Sequence, residues 1–313
     1  MVPNLAFVFP GQGSQSQGML SGLGASHPVV RQTFDEASSV LGMDLWSLVQ
    51  DGPEDALNST VNTQPAMLAA GVALWRVWCE TTDIRPLWMA GHSLGEYTAL
   101  VCADAMSFAD AISLVRSRGE LMQSAVPEGV GAMAAIIGLE DDQVRDACLT
   151  AETASEKVSP ANYNAPGQIV IAGHAPAVLR AMAEARGMGA KRALQLPVSV
   201  PSHCVLMRPA AERFAAVLAD VPVAMPRFTV LHNVDATART EADAVKSALV
   251  EQLYSPVRWV DTIQQFSVLG VEQIVECGPG KVLAGLNKRI APGSPTTPFF
   301  DAESLAKAME SCQ

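Results

Sequence analysis

Short apolar runs that end at Gly or Pro turns alternate with longer helical patterns, and this alternation constrains the fold of the chain most. Leu5–Phe9 predicts a first strand, and Leu87–Ala90 and Gln273–Cys277 predict two more. The helical patterns around these runs are Pro65–Glu80, Leu94–Cys102 and Lys281–Arg289. Strands that alternate with helices are typical of α/β proteins with a mainly parallel sheet. The sequence therefore predicts an α/β fold.

The middle of the chain has a different order of elements, bracketed by Pro127 and Pro197. The pattern predicts strand, helix, strand, strand, helix and strand, which is the βαββαβ order of ferredoxin-like units. The predicted elements are Ala132–Ile137, Asp141–Ala151, Lys157–Asn162, Gln168–Ala172, Pro176–Arg186 and Lys191–Leu196. We therefore expect a small subdomain, residues 127–197, inserted into a large α/β domain formed by residues 1–126 and 198–313.

Charge and cysteine usage exclude several classes of protein. With 21 Lys and Arg against 32 Asp and Glu, the net charge of −11 argues against nucleic acid or an anionic membrane as partner. Uncharged stretches such as 61–75 are too short to span a bilayer, and the N-terminus has no basic region typical of a signal peptide. The six cysteines are scattered, without metal-ligand spacing, which favours reduced thiols in a cytoplasmic protein. We expect a monomer with no metal.

The segment Gly91-His92-Ser93-Leu94-Gly95 matches G-x-S-x-G and lies between a predicted strand and a predicted helix. A nucleophile elbow requires this context, because a sharp turn lifts the serine hydroxyl above the sheet edge and glycines let neighbouring backbone pass closely. The N-terminus of the following helix would direct N–H groups at a developing oxyanion. We therefore predict that Ser93 is a nucleophile; the alternative is an ordinary turn.

A serine nucleophile needs a base, and the chain has five histidines. His92 adjoins the serine in a tight turn, where neighbouring side chains diverge. A surface position explains His27, and a helix cap or exposure explains His174. His203 lies where the chain returns from the insert, and such junctions commonly line clefts. On position alone His203 ranks first and His232 second.

Arg118 lies on the apolar face of the predicted helix Asp110–Ala125. A buried guanidinium needs a partner, because an unpaired buried charge is very costly. One interpretation is an internal ion pair, for example with Glu96. The other is a fork that binds a substrate carboxylate through two parallel hydrogen bonds.

A glycine-flanked loop, Gly11-Gln12-Gly13, follows the first predicted strand. It fits neither a P-loop nor a dinucleotide-binding fingerprint. Such a loop at a strand end could instead present a backbone N–H, that of Gln12, to an oxyanion. The sequence predicts no cofactor beyond the substrates.

Together these motifs resemble the malonyl-CoA:acyl-carrier-protein transacylase family, over nearly the whole chain. The segments that carry the resemblance are residues 7–15, 62–66, 91–97, 164–168, 197–204, 252–259 and 278–281. The family fold is an α/β-hydrolase-like core with a ferredoxin-like insert. Ala165 and Trp88 depart from the usual family residues, and the last twenty residues match nothing firm.

The resemblance implies a role for each matching residue. Ser93 would be the nucleophile and His203 its base, as a dyad. Backbone N–H groups of Gln12 and Leu94 would form the oxyanion hole, and Arg118 would bind the malonyl carboxylate. Two glutamines complete the implied site: Gln252, which would line the pocket while its neighbourhood orients His203 through a backbone carbonyl, and Gln64, which would lie nearby.

The resemblance also implies a ping-pong transfer of malonyl from malonyl-CoA to the phosphopantetheine thiol of acyl carrier protein. Such carriers are typically acidic, so docking needs a local basic patch on this acidic chain. Two clusters are candidates: Lys191, Arg192 and Arg208, and Lys281, Lys288 and Arg289.

Three other interpretations remain. A polyketide-synthase acyltransferase would have the same residues and a different carrier. An esterase or thioesterase would want a carboxylate behind a late histidine, yet no histidine follows His232. A non-catalytic docking module would not need a nucleophile, a base and a buried cation.

Overall fold

Two separate sheets organise the chain in the computed structural model, which describes residues 1–198 and 200–312. The strands are β1 (Val2–Phe9), β2 (Pro86–Gly91), β3 (Gly131–Ile137), β4 (Val158–Ala165), β5 (Gln168–His174), β6 (Arg192–Gln195), β7 (Thr229–Leu231), β8 (Gln273–Cys277) and β9 (Thr296–Phe299). The helices are α1 (Ser21–Ser26), α2 (Pro28–Leu41), α3 (Leu45–Asp51), α4 (Glu54–Asn58), α5 (Thr60–Thr81), α6 (Gly95–Cys102), α7 (Phe108–Gln123), α8 (Asp141–Ala151), α9 (Ala175–Gly187), α10 (Arg208–Ala219), α11 (Ala242–Gln252), α12 (Trp259–Val268), α13 (Val282–Ile290) and α14 (Ala302–Ser311).

The larger sheet is parallel, in the order β7-β2-β1-β8-β9. In its centre Phe7 pairs with Met89 on one side and Val275 on the other. Residues Leu5–Phe9 of β1 are buried, as expected for a parallel strand with helices on both faces of its sheet. The predicted α/β fold is confirmed, and β8 has the predicted bounds.

The smaller sheet is antiparallel, in the order β4-β5-β3-β6. Its strands and the helices α8 and α9 follow one another in the predicted βαββαβ order, with ends shifted by a few residues. The unit has its own apolar core, in which Ile136 and Ile171 of the sheet pack with Val144 of α8 and Val178 of α9. All of these elements lie within residues 127–197.

Backbone and side-chain hydrogen bonds join the smaller sheet to the rest of the chain. The Tyr163 N–H donates to the Val257 carbonyl, and the Val257 N–H donates to the Ala161 carbonyl, both at 2.9 Å. Arg289, at the end of α13, donates to the Pro166 carbonyl and to the Gln168 side chain. Edge strand β4 and the β4–β5 turn are therefore held against the large unit beside the segment that leads into α12.

The C-terminal residues that the sequence analysis left unassigned complete the larger sheet. Strand β9 pairs in parallel with β8, and the fully buried Phe299 packs against Trp78, with ring centroids 6.1 Å apart. Asp301 then caps α14 by accepting from the Ser304 N–H at 2.7 Å. A four-residue strand that contains Pro298 gives a weak sequence signal, because proline lacks the N–H that a ladder uses. Within the described residues, no helix is long and apolar enough to cross a membrane.

The packing of β9 predicts that Phe299→Ala lowers the free energy of unfolding by about 3–5 kcal/mol, since a buried phenylalanine is lost and a cavity is left. Urea unfolding followed by circular dichroism measures the loss. Val268→Ala is the matched control, because Val268 is 79% exposed. A loss for Phe299→Ala as small as the control's would contradict the docking of this edge strand.

Candidate active site

A sharp turn between β2 and α6 displays Ser93 above the carboxyl end of the parallel sheet. Ser93 has a φ of 49°, in the left-handed region that residues other than glycine rarely adopt. A Cβ on Gly91 would lie 1.8 Å from the Gly95 carbonyl carbon, and one on Gly95 would lie 2.0 Å from the Phe9 carbonyl oxygen. Both glycines are therefore required for the turn to pack against its own helix and against β1.

Asn233, which the sequence analysis did not assign to the site, holds this turn from the neighbouring strand. It follows β7, which pairs with β2. Its Oδ1 accepts from the Ser93 N–H at 2.7 Å, and its Nδ2 donates to the Gly91 carbonyl at 2.6 Å. The only sequence signal was its place just after a strand-like run, beside the candidate base His232.

Ser93 and His203 are in direct contact. Ser93 Oγ lies 2.7 Å from His203 Nε2, and His203 Nδ1 lies 2.7 Å from the backbone carbonyl oxygen of Gln252. Because a carbonyl only accepts, Nδ1 must carry the ring proton, which leaves the Nε2 lone pair facing the serine hydroxyl. The contact therefore has the tautomer that can take a proton from Ser93.

The environment of His203 keeps its ring neutral. The side chain is 3% exposed, and burial, aided by the positive charge of Arg118, lowers its pKa to about 3. A neutral imidazole can accept a proton, so His203 is in the state that a general base needs at neutral pH.

Arg118 projects from α7 into the same site and is 1% exposed. Its Nη1 donates to Gln64 Oε1 at 2.8 Å, and its Nη2 donates to Gln252 Oε1 at 2.9 Å. The same Nη2 lies 3.3 Å from Ser93 Oγ. These oxygens are neutral, and among the described residues Arg118 has no carboxylate partner.

The alternative ion pair between Arg118 and Glu96 is wrong. Glu96 is fully buried, but its carboxylate accepts from His232 Nδ1 at 2.7 Å and from Gln252 Nε2 at 2.8 Å. The Gln252 amide thus lies between the carboxylate and the guanidinium and contacts both. Spacing along one helix identified Arg118 as buried, but it could not identify Gln64 and Gln252, partners that lie 54 and 134 residues away.

The other histidines have other partners. His92 Nε2 lies 2.8 Å from Asn164 Oδ1, and the ring of His232 contacts Glu96. His27 and His174 occupy the positions just before α2 and α9. Among the described residues, His203 is the one histidine whose ring contacts the Ser93 hydroxyl.

A cavity of about 230 Å³ opens beside Ser93 between the two units. The larger unit contributes Ser93, Arg118 and Gln64 to its wall, and the smaller sheet contributes apolar side chains, Met133 and Val170 among them. Asn162 and Asn164 of β4 also line the cavity, so the smaller sheet contributes polar as well as apolar side chains. The expectation that Gln252 lines the pocket is wrong: Gln252 is fully buried and is not among the residues of the wall, because its amide is engaged by Arg118, Glu96 and the Ser93 carbonyl.

Gln12 and Leu94, whose backbone N–H groups are the expected oxyanion donors, both line the cavity. The loop after β1 passes so close to the elbow that a Cβ on Gly11 would lie 2.5 Å from the His92 carbonyl oxygen and 3.7 Å from the Leu94 nitrogen. Among the described residues, neither N–H donates to another protein group. Both N–H groups are therefore free to donate to an oxyanion. The Leu94 N–H also lies at the N-terminus of α6, where the helix dipole favours negative charge.

Within residues 1–198 and 200–312, no group of three or more His, Cys, Asp or Glu is arranged to hold a metal ion.

Comparison with known proteins places this site in a family. Residues 6–289 match the family model described as "Acyl transferase domain". The malonyl CoA-acyl carrier protein transacylase of Escherichia coli K12 is 54% identical over 305 residues, which cover 97% of this chain and 98% of that protein. That of Haemophilus influenzae is 57% identical over 286 residues, or 91% of each chain.

Solved structures agree. An acyl carrier protein S-malonyltransferase from Vibrio cholerae has a TM-score of 0.95 and 55% identity, over 97% of this chain and 99% of that one. A malonyl-transacylase in complex with a holo type II PKS acyl-carrier protein has a TM-score of 0.96 and 54% identity, over 98% and 99%. The chain therefore belongs to the acyl transferase family, and within it to the malonyl-CoA:acyl-carrier-protein transacylases.

Proposed function

We propose that this chain transfers the malonyl group of malonyl-CoA to the phosphopantetheine thiol of an acyl carrier protein, through a malonyl ester on Ser93. The product, malonyl-acyl carrier protein, supplies fatty acid biosynthesis. The observation that carries the proposal is the buried guanidinium of Arg118, whose Nη2 lies 3.3 Å from Ser93 Oγ and whose hydrogen bonds within the described residues go to neutral oxygens alone. A cation in that position suits an acyl group that ends in a carboxylate.

In the first half-reaction, His203 Nε2 takes the proton of the Ser93 hydroxyl as Oγ attacks the thioester carbonyl carbon. The N–H groups of Gln12 and Leu94 hold the resulting oxyanion; loss of one such donor typically costs about 2.7–4 kcal/mol. The carbon–sulfur bond then breaks, and CoA leaves with the proton from His203. Malonyl remains on Ser93 as an ester.

In the second half-reaction, the carrier thiol gives its proton to His203 and its sulfur attacks the ester carbonyl carbon. The carbon–oxygen bond to Ser93 breaks, and Oγ recovers a proton from His203. Atoms and protons therefore balance with the two substrates alone, so the proposal needs no further cofactor. Because one chain supplies every side chain named, it needs no second copy either, which fits a monomer.

Selectivity for malonyl follows from the surroundings of Arg118. A malonyl carboxylate would give the guanidinium a charged acceptor beside the neutral oxygens of Gln64 and Gln252, while an acetyl group would leave the buried cation without a counter-charge. The carboxylate would also offset the positive charge that helps to keep the pKa of His203 low. Binding of the correct acyl group thus makes His203 a stronger base. Gln64 and Gln252 hold the guanidinium ready.

Hydrolysis is a weaker alternative, because His203 Nδ1 faces a backbone carbonyl and not the carboxylate of a hydrolase triad. A type II PKS carrier is a second candidate for the acceptor. The observation that favours this carrier is the similarity to the malonyl-transacylase in complex with one. This chain is 54% identical to that transacylase and 55% identical to the Vibrio cholerae protein. Relative activity on the two carriers distinguishes these roles.

For the carrier we propose docking beside the small subdomain, residues 127–197, which we take to close one side of the cavity. Lys191 and Arg192 are exposed just before Leu196 and Val198, which line the cavity, and the exposed Arg208 follows His203 closely. In the other cluster Arg289 is already engaged with the β4–β5 turn. The first cluster is therefore the better placed to meet an acidic carrier. The six free cysteines fit a reducing compartment such as the cytoplasm.

Intact mass spectrometry tests the proposed reaction. We expect malonyl-CoA to add one malonyl group to the protein and holo acyl carrier protein to remove it, because Ser93 alternates between the two thiols. Ser93→Ala should show no adduct. An adduct lost to water equally fast without carrier would support hydrolysis instead, and the absence of an adduct on the unaltered protein would contradict the site.

The pH dependence of acylation tests the state of His203. Below its pKa the ring is protonated and cannot accept the serine proton, so activity falls with falling pH only near that value. With a pKa of about 3, we expect kcat/KM for malonyl-CoA to stay flat between about pH 7.5 and about pH 5. An ordinary histidine, with a pKa of about 6.5, would lower it about thirtyfold at about pH 5. Such a fall, in protein that remains folded by circular dichroism, would contradict the account.

A further inference from the structure

Glu96 is a fully buried carboxylate that the transfer reaction does not use. It lies in the first turn of α6, three residues after Ser93. Three donors converge on it: His232 Nδ1 at 2.7 Å, the Asn233 N–H at 3.0 Å and Gln252 Nε2 at 2.8 Å. Among the described residues it has no Lys or Arg partner. Burying a carboxylate in this way is costly. Its hydrogen bonds indicate that it orients the residues around Ser93.

The first of these contacts fixes the orientation of the Gln252 amide. Both hydrogens of Nε2 are used, one on Glu96 and the other on the Ser93 carbonyl oxygen at 3.0 Å. The amide oxygen must therefore face the other way, where it accepts from Arg118 Nη2. A flipped amide would set its hydrogens against those of the guanidinium and its oxygen against the Glu96 carboxylate.

Gln252 is also the residue whose backbone carbonyl accepts from His203 Nδ1. One residue thus touches both the group that recognises malonyl and the base. Asn233 is held in the same way, since its backbone N–H donates to Glu96 while its side chain holds the Ser93 turn. Glu96 is in this sense the common anchor behind the residues that surround the serine.

We propose that Glu96 is a positioning residue for malonyl selectivity: its Oε2 locks the Gln252 amide with the oxygen toward Arg118, and so fixes the guanidinium. The inference rests on the proposed transfer reaction. Without this lock the amide rotates, Arg118 loses a buried acceptor and the carboxylate fork is no longer held in place. The loss therefore falls on malonyl more than on acetyl.

The test is the ratio of kcat/KM for malonyl-CoA to kcat/KM for acetyl-CoA, with Arg118→Ala marking the ratio of a site without the guanidinium. We expect Glu96→Ala to lower the ratio about tenfold, as befits one buried hydrogen bond to a charged group. Glu96→Asp keeps the charge but withdraws the oxygens by about 1.5 Å, beyond hydrogen-bond reach of Gln252, and should also lower the ratio. It stands in if the alanine variant does not fold.

His232→Leu is the matched control, because His232 contacts the other oxygen, Oε1, and among the described residues has no hydrogen bond to Gln252 or Arg118. It should lower the thermal midpoint but leave the ratio unchanged. A folded Glu96 variant with the ratio of the unaltered protein, or a His232→Leu ratio that falls equally, would overturn the positioning role. An unaltered protein that transfers malonyl no better than acetyl would instead contradict the proposed function on which the role rests.

Discussion

A guanidinium buried among neutral oxygens is the interaction on which the rest of the site depends. Removing a charge from water is costly unless hydrogen bonds and a counter-charge replace the lost hydration. Arg118 has the hydrogen bonds, to the amide oxygens of Gln64 and Gln252, and has no carboxylate partner among the described residues. The protein therefore keeps a buried cation next to its serine, and in the proposed reaction the substrate carboxylate would supply the missing charge.

The parallel sheet makes this arrangement possible, because it brings residues that are distant in sequence to one edge. Ser93 follows β2, Asn233 follows β7 and Gln12 follows β1, and these three strands are neighbours in the sheet. The carboxyl ends of parallel strands are where ligands bind in such folds. His203 enters from the loop after the smaller sheet, Gln252 from the end of α11 and Arg118 from α7, so six separate segments meet around one hydroxyl.

Much of this was predictable from local patterns. The apolar run Gln273–Cys277, bounded by a glycine turn, is β8 with the same ends, and the strand–GHSLG–helix context placed Ser93 at an elbow. Local patterns fail where a residue's partners are remote. They did not assign Asn233 to the elbow, and they did not predict β9. They also suggested an ion pair between Arg118 and Glu96, although the Gln252 amide lies between the two. A long-range contact is decided by packing of the whole chain, which spacing within one element does not encode.

The most direct test of the buried cation is the binding of two thioesters to Ser93→Ala, which has no nucleophile and so reports affinity alone. Titration calorimetry with malonyl-CoA and with acetyl-CoA compares ligands that differ in the carboxylate. A charge-assisted pair with Arg118 predicts that malonyl-CoA binds about tenfold or more tightly. Equal affinities would contradict the claim that Arg118 binds the malonyl carboxylate.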